Sequence, residues 1–305
     1  MIRLIAILGI LCISFSAIFV RLADVSPTTS AFYRCLYAVP FLLFFWLVVR
    51  ERDKRTGSSR LLAFASGFLL AADLSFWHRS IQLIGAGLAT VLGNTQVVFV
   101  GLAAWLFHRE RPSRDAVMIV PFVFAGVVLI SGLGRADAYG DNPIGGALFG
   151  ILTGFSYACY LLIFRASNRE LAPAAGPLLD STVGATLGCL IVGLFDPGFR
   201  LSISWQAHGW LLALALGSQS IGWLLIAIAL PRLAALETSV ILLLQPMLTV
   251  LWAFAIFAER LSTSQYVGVA LVLGGVTFLS TRGSVTKKDQ RSRGSIPSTK
   301  GDSRR

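Results

Sequence analysis

The chain has 305 residues, of which 55% are hydrophobic and only 13% charged, and its mean hydropathy is +0.75. That composition excludes a water-soluble globule of this length and makes lipid the solvent of most side chains. The net charge of +11, from 26 Lys and Arg against 15 Asp and Glu, would suit an anionic partner, so the placement of the cations decides what the charge means.

A membrane-crossing helix needs about 20 mostly apolar residues. Stretches of that kind, bounded by charge or by Pro and Gly, occur ten times: Leu4–Val20, Ala31–Val49, Leu61–Ile81, Gly87–Phe107, Ala116–Leu133, Ile144–Phe164, Pro177–Phe195, Trp210–Leu230, Ala234–Ala258 and Tyr266–Leu279. Helices are expected, because a spanning segment must satisfy its own backbone N–H and C=O groups and the strict alternation of barrel strands is absent. The first span opens Met1-Ile2-Arg3, and no small-x-small cleavage site follows its apolar core before Arg21, so it reads as a retained span. Residues 282–305, rich in Ser, Lys and Arg, read as a disordered basic tail within reach of anionic headgroups.

With the amino terminus placed inside, the inner segments hold twenty cations and the outer loops five, namely Arg21, Arg79, Arg135, Arg200 and Arg260. This bias predicts both termini in the cytoplasm. It also removes the net charge as an argument for nucleic acid, because the cations are spread as membrane anchors rather than gathered on one face. Cys12, Cys35, Cys159 and Cys189 all fall inside spans without metal-site spacing and read as free thiols.

The chain also repeats itself. Gln96 and Gln245 stand 149 residues apart, and the same offset superposes Glu110-Arg111 on Glu259-Arg260, Leu102 on Leu251, Ala104 on Ala253 and Gly126 on Gly275. Each half carries five expected spans, an odd number, so the second half enters the membrane from the opposite side and the repeats are inverted. The divisions are 1–134 for the first repeat, 135–281 for the second and 282–305 for the tail. Two opposed asymmetric conformations are then available, a basis for alternating access.

The stretch Gly85-Ala86-Gly87-Leu88-Ala89-Thr90, followed by Val97-Val98-Phe99-Val100 and Glu110-Arg111-Pro112, has a partner running from Ala234-Ala235-Leu236 through Gln245-Pro246 to Glu259-Arg260-Leu261. The pair resembles the two EamA-type repeats of the drug/metabolite transporter superfamily over nearly the whole chain apart from the tail. The resemblance implies ten helices in two inverted five-helix repeats, a bacterial inner-membrane setting, and export of amino acids or other small metabolites. It specifies a family and leaves the cargo open.

Polar residues at membrane depth are costly and mark candidates for function. Arg34 and Asp73 lie about a helical turn apart in depth and could pair, either as a fixed lock between antiparallel helices or as a switchable pair opened by substrate or by a proton. His78 is a further proton-accepting candidate, although Trp77 and Arg79 beside it suit an interfacial anchor. Asp180 and Glu237 sit toward cytoplasmic helix ends, either solvated or gating with Arg165 or Arg169. Gln96 and Gln245 place an amide near each midplane, and Asn94 is close by, about 200° around a helix from Gln96. Pro246 should free the carbonyl of Leu242 and bend the ninth span beside Gln245. Tyr157 with Tyr160, and Gln219 with Trp223, share helix faces and could wall the same cavity, though interhelical bonding and core packing explain such residues as well.

The expected protein is therefore an all-α integral membrane carrier that exports a small organic metabolite by alternating access, driven by its gradient or by proton exchange. Asn94, Gln96, Tyr157, Tyr160, Gln219, Trp223 and Gln245 are the expected substrate lining, and Arg34, Asp73, His78 and Glu237 the coupling or gating set. No cofactor is expected, since no Walker-type Gly-Lys-Ser/Thr loop is present. The partners are a small-molecule substrate and membrane lipids, and the carrier is a monomer or homodimer. An importer or an exchanger of nucleotide-sugar-like solutes stays open as an alternative. A polytopic enzyme would need clustered catalytic groups, which His78, His108 and His208 do not supply, and a channel would need an aligned polar ring.

Overall fold

The computed structural model describes residues 1–84, 89, 92–108, 114–130, 142–168, 173–257, 263, 264, 266–275 and 278, and every regular element among them is helical. Helices α1 (Ile2–Ser14) and α2 (Ser16–Ala23) form one apolar rod broken at Phe15. α3 (Pro27–Val49) begins where the Ser26 hydroxyl accepts from the Thr29 N–H, with Pro27 at a position whose missing N–H costs nothing. There follow α4 (Gly57–Ile84), α5 (Gln96–His108), α6 (Arg114–Ile130), α7 (Pro143–Ser167) and α8 (Ala175–Gly193). α9 (Trp205–Ala213) is capped by Ser204 and runs through a π-helical segment, Leu214–Gly222, into α10 (Trp223–Ala229). α11 (Ala235–Leu242), α12 (Leu244–Phe257) and a short apolar α13 (Tyr266–Gly275) complete the set.

Six helical runs among the described residues are long and apolar enough to cross a membrane: Ile2–Ala23, Pro27–Arg52, Gly57–Ser80, Ile144–Ser167, Ala175–Gly193 and Trp205–Arg232. They coincide with the first, second, third, sixth, seventh and eighth expected spans. Each of the other four expected spans includes residues outside the described set. The second, third and eighth helices start about four residues earlier than expected, because their polar opening turns, such as Ser204 to His208, are helical but fall outside an apolar window.

Helices of the first half pack chiefly on helices of the second. α4 lies against α7 and α8, α3 against α8 and the π segment, and α1 against α10 and the π segment. The tightest crossing is between α4 and α8, where a Cβ on Gly67 would lie 2.0 Å from the Ser181 carbonyl and one on Gly184 2.0 Å from that of Phe64. Only hydrogen fits at either position, and close helix approach of this kind substitutes dispersion for the hydrophobic drive that lipid does not supply. Tyr160, Phe164, Leu178, Leu211, Leu214 and Ile226 are fully buried, while Phe44, Val48, Leu61, Leu194 and Phe195 are exposed, as lipid-facing side chains are.

Two backbone breaks repeat the internal symmetry. α11 and α12 are separated at Leu243, where Pro246 has no N–H for the Leu242 carbonyl, as the sequence predicts. In the first half a turn at Asn94 and Thr95, with Thr95 N bonded to Leu92 O at 3.1 Å, precedes α5. Asn94 and Leu243 are related by the same 149-residue offset. The break in the first span is held by the ninth: Thr249 Oγ1 donates to Ser14 O at 2.9 Å, Trp252 Nε1 to Ser14 Oγ at 2.8 Å, and Phe15 stacks on Trp252 at 4.5 Å.

Candidate functional site

At the contact between the two halves, Arg34 of α3 donates from Nε to Gln219 Oε1 at 2.8 Å, and Gln219 Nε2 donates to Thr182 Oγ1 of α8 at 3.4 Å. The π segment explains how Gln219 gets there. Its wider turn carries Ser218, Gln219 and Ser220 in succession, all at most 1% exposed, and Ser218 Oγ anchors it by donating to the Cys12 carbonyl of α1 at 3.1 Å. π-helical turns within spanning helices are frequent at functional sites, because an extra residue per turn re-aims the side chains.

An aromatic wall adjoins this chain of bonds. The Trp223 ring sits edge-on to Tyr160 at 5.2 Å and to Tyr157 at 6.4 Å, and the two tyrosines stack at 6.2 Å. Tyr160 Oη, Trp223 Nε1 and Ser220 Oγ are buried without a hydrogen-bond partner. The Ser181 hydroxyl, which accepts from Ser66 Oγ at 3.3 Å, lies beside Tyr160 without making a well-aligned bond to it. A buried polar atom without a partner costs about 1–3 kcal/mol, so the pair Tyr160 Oη and Trp223 Nε1, on adjoining rings, needs a reason. Asp73, 9% exposed, lies in the electrostatic field of Arg34, and Tyr157 lies in the field of both. Arg34 and Asp73 do not form the ion pair that their depths allowed: no N···O approach within 4.0 Å joins them, and Arg34 takes Gln219 instead.

The structure thus joins Arg34, Asp73, Tyr157, Tyr160, Gln219 and Trp223, and adds Thr182 and Ser220, which sequence reasoning missed. A Ser-Gln-Ser run inside an apolar span was the available signal for Ser220. Asn94 lies in the turn before α5, and Gln245 in the first turn of α12. Gln96, 1% exposed, opens α5 beside Gly154 of α7, and Gln245 is half-buried directly after the Leu243 break. His78 is half-buried against the Trp77 ring at 5.1 Å.

Charged contacts gather at the end of the bundle expected to face the cytoplasm. Glu237 pairs with Arg3 rather than with Arg165, whose Nη2 donates to the Leu233 carbonyl at 2.9 Å; Arg169 lies outside the described residues. Asp180 pairs with Arg55 Nη1 at 2.9 Å and more loosely with Arg60 at 3.7 Å, so it is not simply a solvated helix end. Arg55 is gripped from its own loop by Asp53 at 2.8 Å, and Trp46 Nε1 donates to the same Asp53 carboxylate at 2.8 Å. The hydrogen bond from Arg55, with that from Trp46 in support, holds the Asp53 carboxyl down at about 2. These pairs tie the first half to the second, since Arg3 and Arg55 precede residue 134 and Glu237 and Asp180 follow it.

Hydroxyl and backbone contacts join the halves at the opposite end. Tyr33 Oη donates to Leu201 O at 2.6 Å, Arg200 N to Thr29 Oγ1 at 3.0 Å, and Tyr37 shares a hydrogen bond with His208 Nδ1. Thr28 donates to Asp196, and that bond holds the Asp196 carboxyl below the usual carboxylate range.

The profile of the EamA-like transporter family matches residues 1–132 and again 144–281. A protein of Archaeoglobus fulgidus named "Uncharacterized transporter" is 27% identical over 88% of this chain and 92% of its own length. Transporter YwfM of Bacillus subtilis, also named as uncharacterized, is 23% identical over 85% of this chain and 86% of its own. A solved crystal structure superposes with a TM-score of 0.76 at 19% identity, covering 91% of this chain and 95% of its own, and shares the fold.

Proposed function

This chain belongs to the EamA-like transporter family and is a multi-pass membrane protein, and from that premise we propose that it carries a small organic metabolite through a central chamber between its two halves by alternating access. The chamber is walled by Tyr157, Tyr160 and Trp223 and anchored by Arg34 and Gln219, with Asp73 as the coupling carboxylate. One observation carries the reading: the Arg34 to Gln219 bond crosses from the first half to the second among buried polar atoms that have no protein partner. A packed core satisfies such atoms, whereas a binding site leaves them for its ligand. The paired breaks at Asn94 and Leu243 support inverted repeats of five spans each, because irregular backbone at membrane depth belongs against a cavity or protein.

The cation distribution supports a bacterial inner-membrane carrier with both termini in the cytoplasm, and the family resemblance supports export of an amino acid or related compound. Asp73 sits where protonation would change the charge balance around Arg34, which supports proton exchange as the driving reaction. The test is counterflow in proteoliposomes loaded with an amino-acid panel. Saturable exchange that falls at least tenfold in Gln219→Ala and Trp223→Ala, with membrane insertion unchanged, is expected. Full exchange in both variants would remove the chamber from the transport path, and a response to pH that survives Asp73→Asn would remove that residue from coupling.

A further inference from the structure

Arg34 carries five N–H donors, and the structure uses one. Its Nε is committed to Gln219, while Nη1 and Nη2 have no hydrogen bond and no carboxylate within 4.0 Å among the described residues. A guanidinium at membrane depth is expensive unless an anion or several acceptors compensate it. Asp73 supplies long-range compensation but leaves the terminal nitrogens open. Gln219 is fixed in turn by Thr182, so the fork is held in one orientation instead of sweeping the cavity.

The neighbouring unpartnered atoms share one property. Trp223 Nε1 can only donate, and Tyr160 Oη and Ser220 Oγ each have a proton to give. Nη1, Nη2 and Trp223 Nε1 are donors alone, the two hydroxyls can donate or accept, and Asp73, the carboxylate of the proposed chamber, makes no ion pair with Arg34. A cationic solute would bring further donors and a like charge to Arg34, and an amide offers one acceptor oxygen without charge, while a carboxylate brings two oxygens with about four lone-pair positions and fits the fork end-on. Resting on the reading that this chamber holds the cargo, we infer that the cargo carries a carboxylate, that Arg34 receives it, and that Gln219 is the positioning residue that sets the angle of the fork. Lysine would not replace it fully, since a point charge lacks the planar two-point geometry.

The matched probes are 3-phenylpropionate and its neutral amide, 3-phenylpropanamide, whose ring suits the aromatic wall. With the purified full-length protein in detergent, the acid raises the melting temperature and the amide does so at least tenfold less effectively in concentration. Arg34→Gln abolishes the preference and Arg34→Lys keeps part of it. Gln219→Glu supplies an internal carboxylate to Arg34, so the ligand-free protein melts no lower than wild type while the response to the acid disappears. That variant keeps the test open should Arg34→Gln fail to fold. Equal response to acid and amide, no response to either, or an acid preference that persists in Arg34→Gln overturns the inference. Labelling of Ser220→Cys by a membrane-permeant methanethiosulfonate, above the level of the four native thiols, separates the two readings. Labelling without acid preference sinks the carboxylate alone, whereas absent labelling together with absent acid binding sinks the chamber as well.

Discussion

Tyr160→Phe separates a binding site from a core more sharply than any truncation. The side chain is 0% exposed, its ring packs against Trp223, Tyr157 and Phe164, and its hydroxyl makes no well-aligned hydrogen bond although Ser181 lies beside it. The substitution keeps the ring and its contacts and removes one oxygen. If that oxygen were bonded, its loss would cost about 1 kcal/mol of stability; being unbonded, it carries a desolvation penalty of about 1–3 kcal/mol that the variant escapes. The two accounts therefore differ in sign. The melting temperature in detergent is expected to stay level or to rise by a few °C, a size set by roughly 1 kcal/mol in a chain this long. Transport should move the other way, because a cargo that bonds the hydroxyl loses about 0.5–1.5 kcal/mol, which is roughly 2- to 12-fold in apparent affinity. A drop in melting temperature of several degrees would mean that the hydroxyl is bonded in the protein, and the case for orphaned donors would fail. A rise in stability with unaltered exchange kinetics would leave Tyr160 outside the cargo path.

Asp53→Asn should cost about 2 kcal/mol at neutral pH, since the carboxyl is held at about 2 rather than near 4 by Arg55 and its side chain is 3% exposed. Because the folded value is depressed, this contribution is present above about pH 4 and lost as pH falls toward 2, so the stability curves of wild type and variant should converge there; parallel curves would refute the linkage. Gly184→Ala puts a methyl 2.0 Å from the Phe64 carbonyl and forces α4 and α8 apart, at a cost of about 3 kcal/mol or more, read as lost folded yield in detergent, while wild-type yield would disprove the close crossing. Trp252→Phe keeps stacking on Phe15 but loses the 2.8 Å bond to Ser14 and should cost about 1 kcal/mol in denaturant titration, with an unchanged midpoint counting against that anchor.

What the sequence disclosed depended on the kind of information each feature needs. Membrane spans are a property of composition along one stretch, and six helices of spanning length fell where apolar runs placed them. The break at Leu243 was legible because a proline removes one named hydrogen bond. The partner of Arg34 was not, because depth along a helix says nothing about which neighbour it faces; Asp73 lay within about a helical turn in depth, but Gln219 on the eighth span lay at bonding distance. Gly67 and Gly184 look like any other span glycines until the crossing of α4 and α8 is known. The same holds for Arg55 and Asp180, which join a loop of one half to a helix of the other. A π-helical turn shifts the helical register, so Ser218, Gln219 and Ser220 could not be assigned a shared buried environment from a 3.6-residue period.

The contacts described at the two ends of the bundle differ in chemistry, and that difference bears on the proposed alternating access. At the end bearing Arg3 and Arg55 the halves meet through ion pairs, Arg3 with Glu237 and Arg55 with Asp180, all with side chains at most 22% exposed. At the other end they meet through hydroxyl and backbone contacts around Tyr33, Thr29 and Thr28, with Asp196 the one carboxylate named there. Partly buried ion pairs gain Coulomb energy but forfeit hydration, so breaking them into water returns much of the loss, and the net cost of opening that end is far smaller than the bare attraction. Neutral hydrogen bonds are likewise exchanged for bonds to water at about 1 kcal/mol each. Both closures are thus separable at a few kcal/mol, the range in which a ligand that binds one conformation more tightly can move the population. The Arg34 to Gln219 bond spans the same halves, so in the proposed mechanism a cargo that takes up the terminal nitrogens of Arg34 would act directly on a joint between them.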